Sequence, residues 1–427
     1  MVNFKELYGG VRGGSFDGRL SAVYDDPEEL PLKKSRIVRV LDSFAELYST
    51  DCEVGLFSAP GRTEICGNHT DHNNGKVLAA GVNLDAIAAA APNGEKTIRV
   101  KSEGHAMNVV DLSNMLPASD EEGRSTALVR GVCAGFLKRG FKIGGFNAAT
   151  SSEVLSGSGL SSSAAFEVLI CTVLNFLFND GAVSPVETAQ ISQYAENVFF
   201  GKPCGLMDQT ASAVGGFVSI DFEDPSSPSI EKLPFEFASC GHSLCITDTG
   251  GSHADLTDEY AAVRREMESV AEFFGGKSLR EIPFGKLMSN INAVREKTGD
   301  RAVLRAMHFY NENERVSSEV NALNSGDFEA FKKLVVESGE SSYMLNQNVF
   351  SCKQADSQPI SLALALSGEL LQGRGAWRVH GGGFAGTVQA FVPDDMLDLY
   401  TFEMQKVFGE GNCKALKIRS SGGVKLI

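Results

Sequence analysis

The chain has 427 residues, 43% hydrophobic and 22% charged, which is the composition of an ordinary folded protein and excludes a disordered, collagen-like or low-complexity one. At about 100–200 residues per domain, that length implies two or three domains. Its 39 Lys and Arg against 54 Asp and Glu leave a net charge of -15, the wrong sign for long-range attraction to nucleic acid or an anionic membrane, so an anionic substrate would need a local positive patch.

The amino terminus, MVNFKELYGGVRGG, has neither an apolar stretch behind a basic region nor a small-residue cleavage site, so the cytoplasm is the expected compartment. Residues 1–50 read as a helical cap, because apolar residues recur at helical spacing in SRIVRVLDSFAELYST before the polar Ser49, Thr50 and Asp51. From Cys52 to Val110 the texture changes to short β-branched or alanine-rich runs, VGLFSAPGR, GKVLAAGVNLDAIAAAAP and KTIRVKSE, which read as strands around a polar loop. Helical patterns follow at 125–140, 163–179 and 184–200, with Pro185 in a first turn where a missing N–H costs little. No apolar run reaches the roughly 18 residues of a membrane span. The longest, Val168 to Phe178, is broken by Asn175.

The Pro- and Ser-rich stretch DPSSPS, 224–229, reads as a domain junction, giving a cap at 1–50, a first domain at 51–223 and a second at 224–427. The second domain opens with a strand-like SLCITDTGG, continues as helices from 257 to about 372 and ends in strand-like WRVHGGG, TVQAFVP and ALKIRSSGGV. The mixed order favours an α+β fold over a regular βαβ series. Nine cysteines are scattered without a C-x-x-C pair and read as reduced.

Three glycine-rich segments carry chemistry. Gly157-Ser158-Gly159-Leu160-Ser161-Ser162-Ser163-Ala164-Ala165 runs directly into an apolar helical pattern, so its backbone N–H groups would sit at the positive end of a helix dipole, suited to phosphate. It is neither a Walker A loop nor a dinucleotide fingerprint. A Ser- and Gly-rich helix cap is the competing reading. The second segment, Arg62 to Gly75, packs one Arg, two His, one Asp and three Asn between apparent strands, which suits a polyhydroxylated ligand; its His69-x-x-His72 pair is weak evidence for a metal. The third, Gly381 to Gly386, could by itself be a hairpin turn. Phosphoryl transfer also asks for a metal-binding carboxylate and a base, and Glu196 and Asp208 are candidates for those roles.

Taken together, these segments resemble the galactokinase branch of the GHMP kinases, over roughly residues 50–425 and in the family's order. The family's sugar-loop signature G-R-[VT]-N-[LI]-I-G-E-H-T-D-Y reads here GRTEICGNHTDH. Its G-L-S-S-S-A stands at 159–164 and its P-C-G-[IL]-M-D-Q at 203–209. A Tyr-x-x-x-Arg-Arg helix begins at Tyr260, and G-x-G-F-x-G ends the series at 381–386. The resemblance implies a two-domain GHMP fold with the active site in the interdomain cleft, and an ATP- and Mg2+-dependent kinase of the anomeric hydroxyl of galactose. By the same resemblance Asp208 is the base and Arg62 the cation near the transferred phosphate. Ser162 and Glu196 are the magnesium positions, and Gly157, Ser158, Gly159, Leu160, Ser161, Ser162 and Ser163 the triphosphate cradle. Asn68, His69, Asp71 and Tyr260 are the sugar contacts. Sugar and ATP are then the expected partners, without nucleic acid or membrane, and the chain is a monomer or weak homo-oligomer.

The sugar loop departs from the pattern: Asn68 replaces the family's Glu, which reaches toward the sugar C6 hydroxyl, Glu64 replaces its Asn, and His72 its Tyr. Losing the charge at 68 predicts tolerance of a different C6 group, including the carboxylate of galacturonate. A kinase for galacturonate, L-arabinose or N-acetylgalactosamine, and a non-catalytic sugar- and ATP-binding regulator, are the alternatives.

Overall fold

The computed structural model describes residues 1–24, 26–154, 159–251 and 256–427. Gly157 and Ser158 of the expected phosphate cradle lie outside them. Two sheets organise the described chain. In the nine-stranded sheet the path runs Val2–Asn3, Glu53–Cys66, Lys76–Pro92, Phe146–Ser152, Thr97–Ser102, Met107–Asp111. Val424–Lys425 adds to the Glu53–Cys66 strand, and Phe217–Asp221 with Ser229–Leu233 extends from Lys76–Pro92. Among the described residues only the Thr97–Ser102 and Phe146–Ser152 pair is parallel. The four-stranded sheet is antiparallel, in the order Ala376–His380, Thr387–Pro393, His242–Asp248, Cys413–Leu416.

The long strand Lys76–Pro92 explains the layering. Successive side chains of a strand point to opposite faces. Ile87, Ala89 and Ala91 therefore enter one core with the cap residues Ile37, Val40, Leu41 and Phe44, while Ala86, Ala88 and Ala90 enter another with Val168, Leu169 and Val173. Both faces are covered, which is why this strand reads as a continuous apolar run. The cap helix Leu30–Leu47 presents Ile37, Val40, Leu41 and Phe44 at one-face spacing, and the helix Ser162–Phe178 is buried along most of its length on the other side.

Cap, strands and helices fall close to the expected positions, but the expected domain junction does not. Residues 224–229 connect the antiparallel strands Phe217–Asp221 and Ser229–Leu233, so DPSSPS is the turn of a hairpin inside the first sheet. Pro and Ser punctuate a tight turn for the same conformational reasons that they punctuate a linker. The chain leaves that sheet after Leu233 and returns to it at Ile418, bridged to Val82, and then with Val424–Lys425. The third glycine-rich segment is likewise a hairpin connection, since His380 pairs with Thr387. All nine cysteines are free thiols. No helix among the described residues is long and apolar enough to cross a membrane.

Candidate active site

The Glu53–Cys66 strand is irregular between Pro60 and Arg62, and such a bulge re-aims a side chain. Arg62 donates from Nε to Asp208 Oδ1 at 2.7 Å and from Nη2 to Oδ2 at 2.8 Å, while Nη1 donates to the Gly159 carbonyl. Its backbone N–H donates to Leu160 O at 3.1 Å, so the strand and the first glycine-rich loop are in contact. Asp208 lies in the first turn of the helix Met207–Val214, where the dipole favours a negative charge. Burial pushes its carboxyl up, but the Arg62 guanidinium and the Ser161 hydroxyl outweigh that and hold it below the usual aspartate value.

The loop enters the helix Ser162–Phe178 through Ser161 at φ 57°. Gly159, at φ 73°, has no room for a side chain: a Cβ there would lie 2.8 Å from Thr387 Oγ1 and 3.0 Å from His380 Nδ1. His380 is enclosed, bonding Thr63 Oγ1 through Nε2 at 3.1 Å and Thr387 Oγ1 through Nδ1 at 2.8 Å. Burial and the neighbouring Arg62 depress its pKa to about 3, so it is a neutral prop of the loop.

Behind the loop, Glu196 is buried on the turn Ala195–Phe200. Its Oε1 accepts from Ser163 Oγ at 3.0 Å and Lys202 Nζ at 3.1 Å, and its Oε2 from Gln209 Nε2 at 2.7 Å. Of the two expected metal positions, Glu196 is thus beside the loop, and the hydroxyl seen to reach it is that of Ser163; Ser162 opens the same helix. Gln209 also donates to the fully buried Glu167 at 3.2 Å, whose carboxyl burial and the nearby Glu196 push well above the usual range. Neither Gln209, Lys202 nor Glu167 stood out in the sequence, although Gln209 closes the P-C-G-L-M-D-Q segment.

Next to Asp208, a small cavity of about 80 Å3 is lined by Glu64, Gly67, Asn68, His69, Asp71, Val77, Met207 and Gly382. The loop after Cys66 and the third glycine-rich segment meet at it. Asn68 Nδ2 donates to Gly381 O at 2.7 Å, His69 Nε2 bonds Gly382 O at 2.8 Å, and Tyr260 donates to Gly383 O at 2.7 Å. Asn68, His69 and Asp71 therefore line the cavity, and Tyr260, bonded to Gly383, packs on Phe384 with ring centroids 5.3 Å apart. Burial pushes the Asp71 carboxyl up against the opposing pull of His69. Gly205 abuts Asp71: a Cβ there would be 2.5 Å from Asp71 Oδ2.

Asn68 does not leave the pocket uncharged. Its Nδ2 also donates to Glu64 Oε1 at 2.9 Å, so the carboxylate missing at 68 stands against it from 64. The charge lost at 68 is thus accompanied by a carboxylate at 64 in the same cavity wall. His69 and His72 have ring centroids 5.7 Å apart, and among the described residues no group of three or more His, Cys, Asp or Glu could hold a metal.

Residues 42–92 match the family model described as the galactokinase galactose-binding signature, and residues 127–216 match the GHMP kinases N terminal domain. A galactokinase of Streptomyces coelicolor is 32% identical over 381 residues, 88% of this chain and 94% of that protein. Among solved structures, that of Lactococcus lactis galactokinase complexed with galactose superposes with a TM-score of 0.76 at 23% identity, covering 90% of this chain and 98% of that one. The Methanococcus jannaschii mevalonate kinase superposes at 0.61 and 13% identity, covering 86% of this chain and 98% of that one. The fold is that of the GHMP kinases.

Proposed function

The chain belongs to the galactokinase family, and on that premise we propose that it transfers the γ-phosphoryl group of ATP to the anomeric hydroxyl of galactose. The observation that carries this reading is the paired Arg62 and Asp208, set between the phosphate loop and the small polar cavity. A sugar seated in that cavity would present a hydroxyl to Asp208, which neighbours the wall residue Met207.

The reaction forms a bond from the anomeric oxygen to Pγ and breaks the bond from Pγ to the β,γ-bridging oxygen, which leaves with ADP. Asp208 takes the anomeric proton as the new bond forms. Arg62 offsets charge on the transferring group, and the helix amino terminus at Ser162 and Ser163, with Gly159, Leu160 and Ser161 before it, cradles the triphosphate. Catalysis is then mainly positioning and charge stabilisation.

A magnesium ion fits the donors present. Glu196 and the hydroxyls of Ser162 and Ser163 are hard oxygen ligands, Glu196 already attracts the Lys202 ammonium, and Mg2+ commonly takes one or two carboxylates plus substrate phosphates. When bound it would supply charge neutralisation to the β- and γ-phosphates.

The test is a coupled ADP-release assay with ATP and Mg2+ over galactose, galacturonate, N-acetylgalactosamine, L-arabinose and glucose, with Asp208→Asn as control. Turnover on galactose that collapses in the variant is expected. Turnover only on another sugar, or none, overturns the reading.

A further inference from the structure

Glu64 and Asn68 have exchanged carboxylate and carboxamide relative to the galactokinase pattern, and in this protein their side chains touch. The strand ends at Cys66, and Gly67, at φ 98°, turns the chain so that Asn68 folds back over Glu64. A Cβ at Gly67 would lie 2.5 Å from Lys76 O, so no other residue makes this return. Buried Glu312 locks it, accepting from the backbone N–H of Gly67 at 3.1 Å and of Asn68 at 3.4 Å.

The exchange has its own supporting residues. Both amide hydrogens of Asn68 are committed, to Glu64 Oε1 and Gly381 O, and its Oδ1 accepts from Asn348 Nδ2 at 2.7 Å. Glu64 Oε1 also accepts from Arg378 Nη2 at 3.0 Å, and Arg378 is fully buried. The second oxygen, Oε2, has no partner among the described residues, although Glu64 is only 6% exposed and lines the cavity. A carboxylate oxygen that takes no hydrogen bond from the described residues and borders a polar cavity is an acceptor for a donor seated there.

We propose that Glu64 is the specificity-determining residue of the sugar pocket, its free oxygen accepting a hydrogen bond from a hydroxyl of a neutral sugar, with Asn68 and Arg378 as positioning residues. This rests on the sugar-kinase reading above. It reverses the expectation drawn from Asn68 alone: with Glu64 in the wall, an anionic sugar is rejected, because its carboxylate would meet an acceptor-only group of like charge.

The experiment compares wild type, Glu64→Gln, Asn68→Glu and the double variant Glu64→Asn/Asn68→Glu by kcat and KM on galactose, its 2-, 4- and 6-deoxy analogues and galacturonate, with thermal melting to establish folding. Glu64→Gln is expected to raise the galactose KM about 10- to 100-fold, the worth of a hydrogen bond to a charged group, with a smaller change in kcat. One deoxy analogue should lose little further in that variant, identifying the hydroxyl that Glu64 holds. Asn68→Glu alone crowds two carboxylates onto Arg378 and should be the poorer enzyme, while the double variant, carrying the family's pair, recovers galactose activity. A folded Glu64→Gln with unchanged galactose KM and unchanged galactose-to-galacturonate ratio, or strict additivity with every analogue, overturns the proposal while leaving the kinase reading standing. Calorimetric titration of the wild type with the same sugars separates the two: absence of both binding and turnover on every neutral sugar defeats the kinase reading and this proposal together.

Discussion

Arg62 and Asp208 meet through two parallel hydrogen bonds across 146 residues of sequence, fork to fork at 2.7 and 2.8 Å. This geometry is strong because both partners are charged and both carboxylate oxygens are engaged. It keeps a partly buried carboxylate ionised before substrate arrives, the state a proton acceptor requires.

Asp208→Asn should therefore lower kcat by about 10²- to 10⁴-fold, the usual worth of a positioned base. Asp208 has a depressed pKa, so it stays ionised as pH falls, and the acid limb of kcat/KM should lie below the ordinary aspartate range. Arg62→Met removes the largest pull against burial, leaving those of Ser161 and Lys202, and should move that limb upward. A limb that stays in place would show that another group limits the rate.

The cap is wired to the first sheet through Asp85, which is fully buried and accepts from Arg36, Ser58, Tyr24 at 3.0 Å and Arg419 at 3.0 Å. Burial would raise its pKa, but Arg36, Arg419 and Lys33 together hold it far below the usual value. Asp85→Ala strands these cations and should cost about 3–5 kcal/mol in chemical denaturation. Because the folded pKa lies below the unfolded one of ~3.9, the stabilisation is complete above that value and fades as pH falls through the folded one. A loss independent of pH across the acid range would contradict this.

Gly205→Ala tests the wall rather than the fold. The added Cβ would approach Asp71 Oδ2 to 2.5 Å, and a carboxylate at the end of a side chain can move aside. Sugar KM should rise while the melting temperature changes little. Equal KM values for the variant and the wild type would remove Asp71 from the sugar contacts.

Glu196→Gln keeps the shape of the residue that binds Ser163, Lys202 and Gln209 but discards its charge. The Mg2+ concentration for half-maximal velocity should rise by at least the roughly 10-fold that outer partners of metal sites are worth. Chelation with EDTA should abolish wild-type turnover. An unchanged Mg2+ dependence would place the ion elsewhere.

Features contained within one stretch of chain were legible from the residues. The Gly- and Ser-rich loop running into the helix Ser162–Phe178, the cap helix Leu30–Leu47 and the strands around the Arg62–Gly75 loop all follow from local spacing, since helix and strand periods are properties of neighbours in sequence. The DPSSPS stretch misled because turn-forming residues do not reveal whether the next strand rejoins the sheet. The hydrogen bond from the Tyr260 hydroxyl to Gly383, 123 residues away, could not be read from the helix that carries it.

The sequence by itself determined the family's motifs, the α+β class and which residues are chemically able to act. Only the tertiary structure decided what each one faces. That Glu64 rests on Asn68 under Arg378, 314 residues away, and that His380 stands against Gly159, are complementarities between distant segments. Buried charges and polar groups must find partners when water is removed, and those partners are chosen by packing in three dimensions, which no local period encodes.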